Sequence, residues 1–181
     1  MKKLIIIFMA VCACVSAEAV TLASLQKAAF NENGSMIARW RAVTSAGRIY
    51  GPRAEHFLQK AMLRPEWFLR DAAVVVSHYG ERKWAIRWSK ILLDDPALVV
   101  RTAAVDSLRR LHAEEARAQL WQKLCASENY RHGDSLWIRK NIVQALSEMA
   151  TPSDKAKFTR LLADRDTSLR LLAKATLRRL R

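Results

Sequence analysis

Apolar residues recur at helical spacing around four arginines between residues 69 and 180. The arginines Arg70, Arg101, Arg139 and Arg170 are 31, 38 and 31 residues apart. One residue before each, and three, seven and ten residues after it, the side chain is mostly apolar, and these offsets share one face of an α-helix. The apolar positions of this stripe are Leu69, Ala73, Val100, Ala104, Leu108, Leu111, Ile138, Ile142, Leu146, Met149, Leu169, Ala173, Leu177 and Leu180. The pattern predicts four amphipathic helices that bury the same face.

Other helices are predicted between these four, so that the chain forms helix pairs joined by short turns. Asp95-Pro96 and Thr151-Pro152 are start signals, because a capping side chain followed by proline suits the first turn of a helix. The segment 127–134 is the one longer predicted loop, and it accounts for the spacing of 38. The predicted helices span 52–63, 65–79, 81–93, 96–111, 113–126, 135–149, 152–163 and 167–180, with about two more in 20–47.

The composition agrees with an all-helical protein. Of the 181 residues, 51% are hydrophobic, and only five are glycine and four are proline. All-β, collagen-like and disordered chains need more turn residues or have fewer core-forming ones. A chain of this length forms about one domain. The expected fold class is therefore all-α.

The N-terminus has the pattern of a secretory signal. Met1-Lys2-Lys3 is followed by an apolar run that ends at about Val15, which is shorter than the ~20 apolar residues that span a bilayer. Val15-Ser16-Ala17 offers small residues where a signal peptidase reads the chain. We expect cleavage after Ala17, giving a signal peptide of residues 1–17, with cleavage after Ala19 as the second choice. The mature chain is expected to be exported, most simply to the periplasm.

A second interpretation of the same region is a lipid anchor. Val11-Cys12-Ala13-Cys14 loosely resembles a lipoprotein signal, in which Cys14 would be lipidated and become the first residue. The protein would then be tethered to a membrane. If Cys12 and Cys14 leave with the signal, Cys125 is the only thiol and no internal disulfide is possible. We expect Cys125 to be a buried, inert cysteine.

The charge of the chain favours anionic partners. The whole sequence has 31 basic and 17 acidic residues, a net charge of +14, and removal of Lys2 and Lys3 leaves 29 basic residues and +12. Long-range attraction of this kind suits nucleic acid, lipid head groups, cell-wall polymers or acidic protein surfaces, and it does not choose between them.

The segment from Asp95 to Leu108 resembles the second helix of a HEAT repeat of the short, bilin-lyase-like type, and the units around Arg139 and Arg170 repeat it more loosely. Four units in register make the resemblance moderately specific. It covers residues 52–181, with 18–51 as an N-terminal helical cap. The fold that it implies is a right-handed α-solenoid of about four HEAT-like helix pairs, each buried only by stacking on its neighbours.

The resemblance also implies that an aspartate and the arginine of each motif brace adjacent repeats. The implied pairs are Asp95 with Arg101, Asp134 with Arg139, and Asp164 or Asp166 with Arg170. Arg70 departs from the pattern, because Arg64 stands where the acid would be. The four aligned arginines are thus structural repeat positions.

The sequence has no catalytic motif. It contains no glycine-rich phosphate loop, no His-x-x-x-His, no Cys-x-x-Cys and no Gly-x-Ser-x-Gly. The nearest candidate is His112-Ala113-Glu114-Glu115, which fits a solvated turn between helices better than a metal site or a general base. HEAT-like enzymes that hold iron use repeated His-Glu dyads, which are missing here. We expect no enzymatic activity, no metal and no cofactor.

Partner binding is therefore the predicted activity. In the implied solenoid the second helices line the concave face, where basic side chains and exposed tryptophans would meet a partner. The candidate binding residues are Trp67, Arg109, Trp137, Lys140, Lys174 and Arg178. The favoured hypothesis is an exported, non-catalytic scaffold for a protein or an anionic envelope component. A nucleic-acid-binding HEAT-repeat protein is the alternative if the N-terminus is not exported. A bilin-lyase-like or chaperone-like enzyme is the third, on repeat resemblance alone.

Overall fold

The computed structural model describes residues 20–180, and this part of the chain is helical apart from one short hairpin. The α-helices are α1 Leu22–Ala29, α2 Met36–Tyr50, α3 Glu55–Met62, α4 Trp67–Val75, α5 Arg82–Leu92, α6 Leu98–Arg110, α7 Arg117–Leu124, α8 Trp137–Glu148, α9 Lys155–Leu161 and α10 Thr167–Arg179. The strands are β1 Tyr130–Arg131 and β2 Asp134–Ser135. The predicted all-α class is confirmed.

The helices pack as consecutive pairs. In each pair an odd-numbered helix, called a first helix below, packs on the even-numbered helix that follows it, called a second helix. The second helices also pack on one another in chain order, from α2 on α4 to α8 on α10. They form one continuous row, and each first helix packs mainly on the second helix of its own pair.

The predicted apolar stripe forms the core of this row. Leu69, Val100, Ile138 and Leu169, which precede the aligned arginines, are at most 1% exposed. The residues three positions after the arginines are fully buried, and of those at seven Leu108 and Leu146 are buried and Leu177 is partly buried. The helical period of the sequence therefore identified the buried face correctly.

The helices begin a few residues later than the sequence predicts. Asp95 is not the N-cap of α6, because its carboxylate accepts a hydrogen bond from the Ala97 backbone N–H (2.8 Å) in a turn that precedes Leu98. Before α9, Thr151 forms the predicted capping box with Asp154, but the first turn is a 3₁₀ turn. The 3₁₀ turns 51–54, 114–116 and 152–154 precede α3, α7 and α9.

The longer loop contains the β-hairpin. Tyr130 pairs with Ser135 and Arg131 with Asp134. The two residues between the strands, His132 and Gly133, both have positive φ, at 53° and 86°. A two-residue turn with positive φ at both positions matches the twist of the strands, and glycine adopts it without strain.

Cys125 is exposed, so the prediction of a buried cysteine is wrong. Cys125 ends α7 as its C-cap and follows Leu124, the last buried residue of that helix. Cys125 therefore does not lie on the face of α7 that packs on the core.

The predicted signal peptide 1–17, its cleavage sites and the lipidated Cys14 lie outside the described residues. Within residues 20–180, no helix combines the length and the apolarity needed to cross a membrane.

Candidate partner-binding surface

A row of arginines on the second helices connects each helix pair to the next. The clearest contact joins Arg70 of α4 to Asp95, with Nε and Nη2 donating to the two carboxylate oxygens at 2.6 and 2.9 Å. We call the four contacts of this kind the arginine ladder. They are Arg39 Nη2 to Glu66 Oε1 (2.7 Å), Arg70 to Asp95, Arg101 Nε to Asn129 Oδ1 (3.3 Å) and Arg139 Nη2 to Asp164 Oδ2 (2.8 Å).

The aligned arginines also form hydrogen bonds with the loop before their own helix. In three of them Nη1 donates to the backbone oxygens six and five residues earlier. The pairs of acceptors are Arg64 and Pro65 for Arg70, Asp95 and Pro96 for Arg101, and Asp164 and Arg165 for Arg170. Each guanidinium therefore fixes the turn that leads into its own second helix.

The contacts implied by the family resemblance are present only in part: Arg101 and Arg170 bond to the backbone carbonyls of Asp95 and Asp164, not to their carboxylates. Asp95 and Asp164 bind the arginines of the preceding helix pair, and Asp134 is exposed. The reason is the position of the acids. They lie in the loop before a second helix and face the preceding one, while the arginine of their own helix contacts backbone carbonyls. Arg70 does not depart from the pattern, because the Arg64 carbonyl gives it the usual contact.

Arg39 is a ladder residue that the sequence reasoning missed. It lies 31 residues before Arg70, and the residues three and seven positions after it, Ala42 and Ala46, are buried. This signal was present but incomplete, because Ala38 before it and Ile49 at the tenth position are exposed. The segment 18–51, predicted as a cap, thus supplies a helix pair with the same contact to its neighbour.

The ladder residue Asp164 is held in its charged form. Burial acts to raise the pKa of Asp164, but hydrogen bonds from Arg139 and from the Asp166 backbone N–H, and the charges of Arg139 and Arg170, outweigh it and lower the pKa. Asp164 is matched by arginines that stay charged at any relevant pH. We interpret the arginine ladder as a structural element.

The six predicted binding residues lie on the second helices α4, α6, α8 and α10. Trp67 and Trp137, the first residues of α4 and α8, are 45% and 53% exposed. Arg109 is occupied by an ion pair with Glu148 of α8, with Nη1 and Oε1 3.1 Å apart. The other three, Lys140, Lys174 and Arg178, are exposed. Of the six, Trp137 lines a cavity on this face.

That cavity, the second-helix groove, has a volume of about 220 Å³ and lies across α4, α6 and α8. It is lined by Asp71, Val75, Val99, Thr102, Ala103, Asp106, Ser107, Arg110 and Trp137. Val99 and Trp137, which are 37% and 53% exposed, give it an apolar edge. Both residues stand two positions before an aligned arginine, so neighbouring second helices present them on the same face.

Asp71 is the most buried charged residue of the second-helix groove. It is 8% exposed, and its Oδ2 accepts a hydrogen bond from Trp40 Nε1 at 2.9 Å. Within residues 20–180 it forms no ion pair. Burial raises its pKa, and the Trp40 hydrogen bond opposes this only in part. Its oxygens therefore lack the cation that each ladder carboxylate has.

Asp106 gives the groove a second incompletely matched carboxylate. Burial raises its pKa more than Arg109, Arg110 and the weak hydrogen bond from Asn141 (3.4 Å) lower it. The nearest cation is Arg109 Nε at 3.8 Å, and Arg109 is shared with Glu148. A cationic or hydrogen-bond-donating group entering beside Trp137 would stabilise both carboxylates.

The candidate catalytic residues do not form a site. His112 is exposed with φ of 44° at the turn before α7, and Glu115 is paired with Arg82 at 3.5 Å. In the described part of the chain, no three side chains of His, Cys, Asp or Glu converge as metal ligands would.

The chain matches no model of a known protein family, and no curated protein is similar to it.

Proposed function

We propose that the protein is an exported, non-catalytic scaffold that binds a protein partner in the second-helix groove. The observation that carries this proposal is the groove itself, where an exposed tryptophan lies beside an almost fully buried aspartate without a cation. Tryptophan is enriched among the residues that dominate binding energy. A buried carboxylate without a cation is unfavourable until a donor or a cation reaches it.

The finer fold belongs to the same proposal. We infer a right-handed α-solenoid of HEAT-like helix pairs, in which the row of second helices forms the concave face. Its support is the repeated contact of the arginine ladder, which joins successive units by the same geometry from Glu66 to Asp164. In such an array each unit is stabilised mainly by its neighbours.

Export is supported by the sequence alone. Residues 1–17 have the basic start, the apolar run and the small residues of a signal peptide. We propose the periplasm as the location, with a membrane tether through Cys14 as the alternative.

The chemistry of the second-helix groove favours a protein partner over an anionic polymer. Asp71 and Asp106 would repel phosphate or carboxylate groups from its centre, and Arg110 offsets only part of this. A protein surface can place a basic side chain on the acids and an apolar one on Trp137. Nucleic acid is the less favoured alternative, because exposed cations lie on first helices such as α5 as well as on second helices.

Export is tested by fractionating cells and determining the mature N-terminus by mass spectrometry. We expect a soluble envelope species that begins at Glu18 or Val20. If Cys14 is found lipidated, the protein is a scaffold tethered to a membrane and not a soluble envelope species. An unprocessed chain in the cytosol would contradict export and make duplex DNA the next ligand to test, with an affinity that falls steeply as salt rises.

Binding is tested with a photo-crosslinking amino acid at Lys140, three residues after Trp137, and a control crosslinker at Lys60 of α3. A partner crosslinked only from Lys140 is then purified, and its affinity is measured against two variants. We expect Trp137→Ala to weaken binding about tenfold or more, since a central aromatic contact often contributes that much. Trp67→Ala is the matched control, because Trp67 is similarly exposed at the start of α4 but does not line the groove. Equal losses in both variants would contradict the assignment of the groove.

A further inference from the structure

A second groove lies on the opposite layer of the molecule, between the first helices α5 and α7. This first-helix groove has a volume of about 760 Å³. Gln119 Nε2 of α7 donates to the Lys90 backbone oxygen of α5 at 3.0 Å and closes one part of it. None of its lining residues belongs to the second-helix groove, so the two surfaces are independent.

The floor and one wall of the first-helix groove are apolar. Ile86 is 4% exposed and lies at the floor, while Ile91 is 50% exposed at the edge. The half-exposed Ile91 beside the buried Ile86 forms an apolar surface on which an apolar group from another molecule can pack.

One rim of the groove carries three cations. Lys83, Arg87 and Lys90 are spaced four and three residues apart on α5, so they lie on one side of the helix. None of them forms an ion pair with another residue in the described range 20–180.

The two acids that line the groove, Asp94 and Glu115, are already paired with cations. Asp94 is paired with Lys123, and Glu115 with Arg82 at 3.5 Å. The hydrogen bond from Lys123 to Asp94 raises the pKa of the lysine more than its burial lowers it. The rim cations of α5 therefore define the charge of the groove.

We propose that the first-helix groove binds a short acidic segment of a protein partner. The segment seats an apolar side chain on Ile86 and Ile91 and places carboxylates on Lys83, Arg87 and Lys90. A side chain inserted from a protein can reach the buried Ile86, whereas a flat lipid surface would meet only the half-exposed Ile91.

The proposal is tested with the mature chain and fluorescent peptides in which leucines stand at strand or helix spacing among glutamates. The control peptides replace the leucines by glycine or the glutamates by lysine. We expect saturable binding of the Leu/Glu peptides only, with slower backbone hydrogen exchange in 82–94 and 115–123. No binding of any Leu/Glu peptide, or equal binding of the Gly/Glu peptides, would overturn the proposal.

Variants separate a built site from the general basic charge of the molecule. Lys83→Glu with Arg87→Glu should weaken peptide binding about tenfold or more, because both rim attractions become repulsions. Lys60→Glu with Lys155→Glu is the matched control: it makes the same change in net charge at exposed lysines of α3 and α9. Ile91→Asp should weaken binding to a similar degree.

Two outcomes would contradict the site. An equal loss in the Lys60/Lys155 control would show that binding follows overall charge. Binding of anionic phosphatidylglycerol vesicles that depends on Lys83 and Arg87, without peptide binding, would replace the acidic segment by a membrane surface. Melting curves like that of the wild type confirm that each variant is folded.

Discussion

Acidic residues have opposite environments in the arginine ladder and in the second-helix groove. In the ladder, Asp164 accepts hydrogen bonds from Arg139 and from a backbone N–H, and its pKa is lowered in spite of burial. In the groove, Asp71 is more buried but is bonded only to the Trp40 indole, and its pKa is raised. Asp164 lies in the loop before α10, where an arginine of the preceding helix pair reaches it, while Asp71 lies within α4 and meets no arginine side chain as an ion-pair partner among residues 20–180.

The difference separates residues that stabilise the fold from residues that cost stability. A matched ion pair with further hydrogen bonds recovers the cost of removing charges from water. A buried carboxylate without a cation does not recover it. Regions that are poorly optimised for stability are expected where function requires them. The comparison therefore supports the proposed binding role of Asp71 and a structural role for Asp164.

The largest effect is expected from removing a ladder acid. Asp95→Ala leaves the Arg70 guanidinium, whose side chain is only 12% exposed, without its carboxylate and takes away the acceptor of the Ala97 N–H. Breaking a buried pair from one side costs ~3–5 kcal/mol of the free energy of unfolding. Urea denaturation measures this.

Asp94→Ala is the matched control, because its side chain is 59% exposed and pairs with Lys123 at the surface. Such a pair contributes about 1 kcal/mol or less. A loss in Asp95→Ala as small as in Asp94→Ala would remove the structural role of the ladder.

The next effect concerns the one neutral contact of the ladder. Asn129 is fully buried, accepts from Arg101 Nε and Nη2, and donates to the Lys123 backbone oxygen at 2.8 Å. Arg101 also bonds the Glu128 carbonyl, so it keeps a partner in Asn129→Ala. We expect a cost of ~1–3 kcal/mol, against almost none for the exposed Asn33→Ala. A loss as large as that of Asp95→Ala would show that geometry alone, without charge, sets the strength of a ladder contact.

The helices could be predicted from the sequence, and the ladder pairs could not. The apolar period around Arg101 and Arg139 reports which face of each helix is buried, and that is a local property of the chain. Whether Arg70 binds Asp95 of the next pair depends on how successive pairs stack. Both pairings recur at a fixed spacing, 25 residues for Arg70 with Asp95 and for Arg139 with Asp164, and six for Asp95 with Arg101 and for Asp164 with Arg170. Spacing along the chain therefore does not choose between them.

The second-helix groove was only partly predictable for the same reason. The exposure of Trp137 near a turn followed from its position beside the arginine column, and it is confirmed. Asp71, Val99 and Trp137 come from three helices and meet only after these have stacked. Asp71 follows directly after Arg70. The sequence does not indicate that Arg70 has an ion-pair partner while Asp71 has none among residues 20–180.

A smaller effect, expressed through pH, is expected at Asp164. Because the folded state lowers its pKa, the ionised carboxylate stabilises the protein above the pKa of the unfolded chain, and this contribution is lost as pH falls through the folded value. Asp164→Asn should therefore be less stable than the wild type at neutral pH, and the gap should narrow in acid. Urea denaturation across the acidic range measures the gap. Asp134→Asn, which changes an exposed carboxylate of the hairpin, is the control and should show no gap.

The smallest effect on stability, with the opposite sign, is expected at Asp71. Its pKa is raised, so the wild type loses free energy of unfolding as pH rises from the unfolded to the folded pKa of this group. Asp71→Asn lacks this loss and keeps an oxygen for the Trp40 N–H. The variant should thus be at least as stable as the wild type at neutral pH, while its partner binds more weakly.

Stability and affinity are therefore measured on the same Asp71→Asn sample, by urea denaturation and by titration with the crosslinked partner. If Asp71→Asn is as stable as the wild type or more stable, and binds the partner more weakly, then Asp71 is a residue kept for binding at a cost in stability. A stability loss like that of Asp95→Ala, with unchanged affinity, would mean that Asp71 braces α4 against Trp40 of α2. The carboxylates of the arginine ladder and of the second-helix groove would then both be structural, and the proposal that the groove binds a partner would lose its main support.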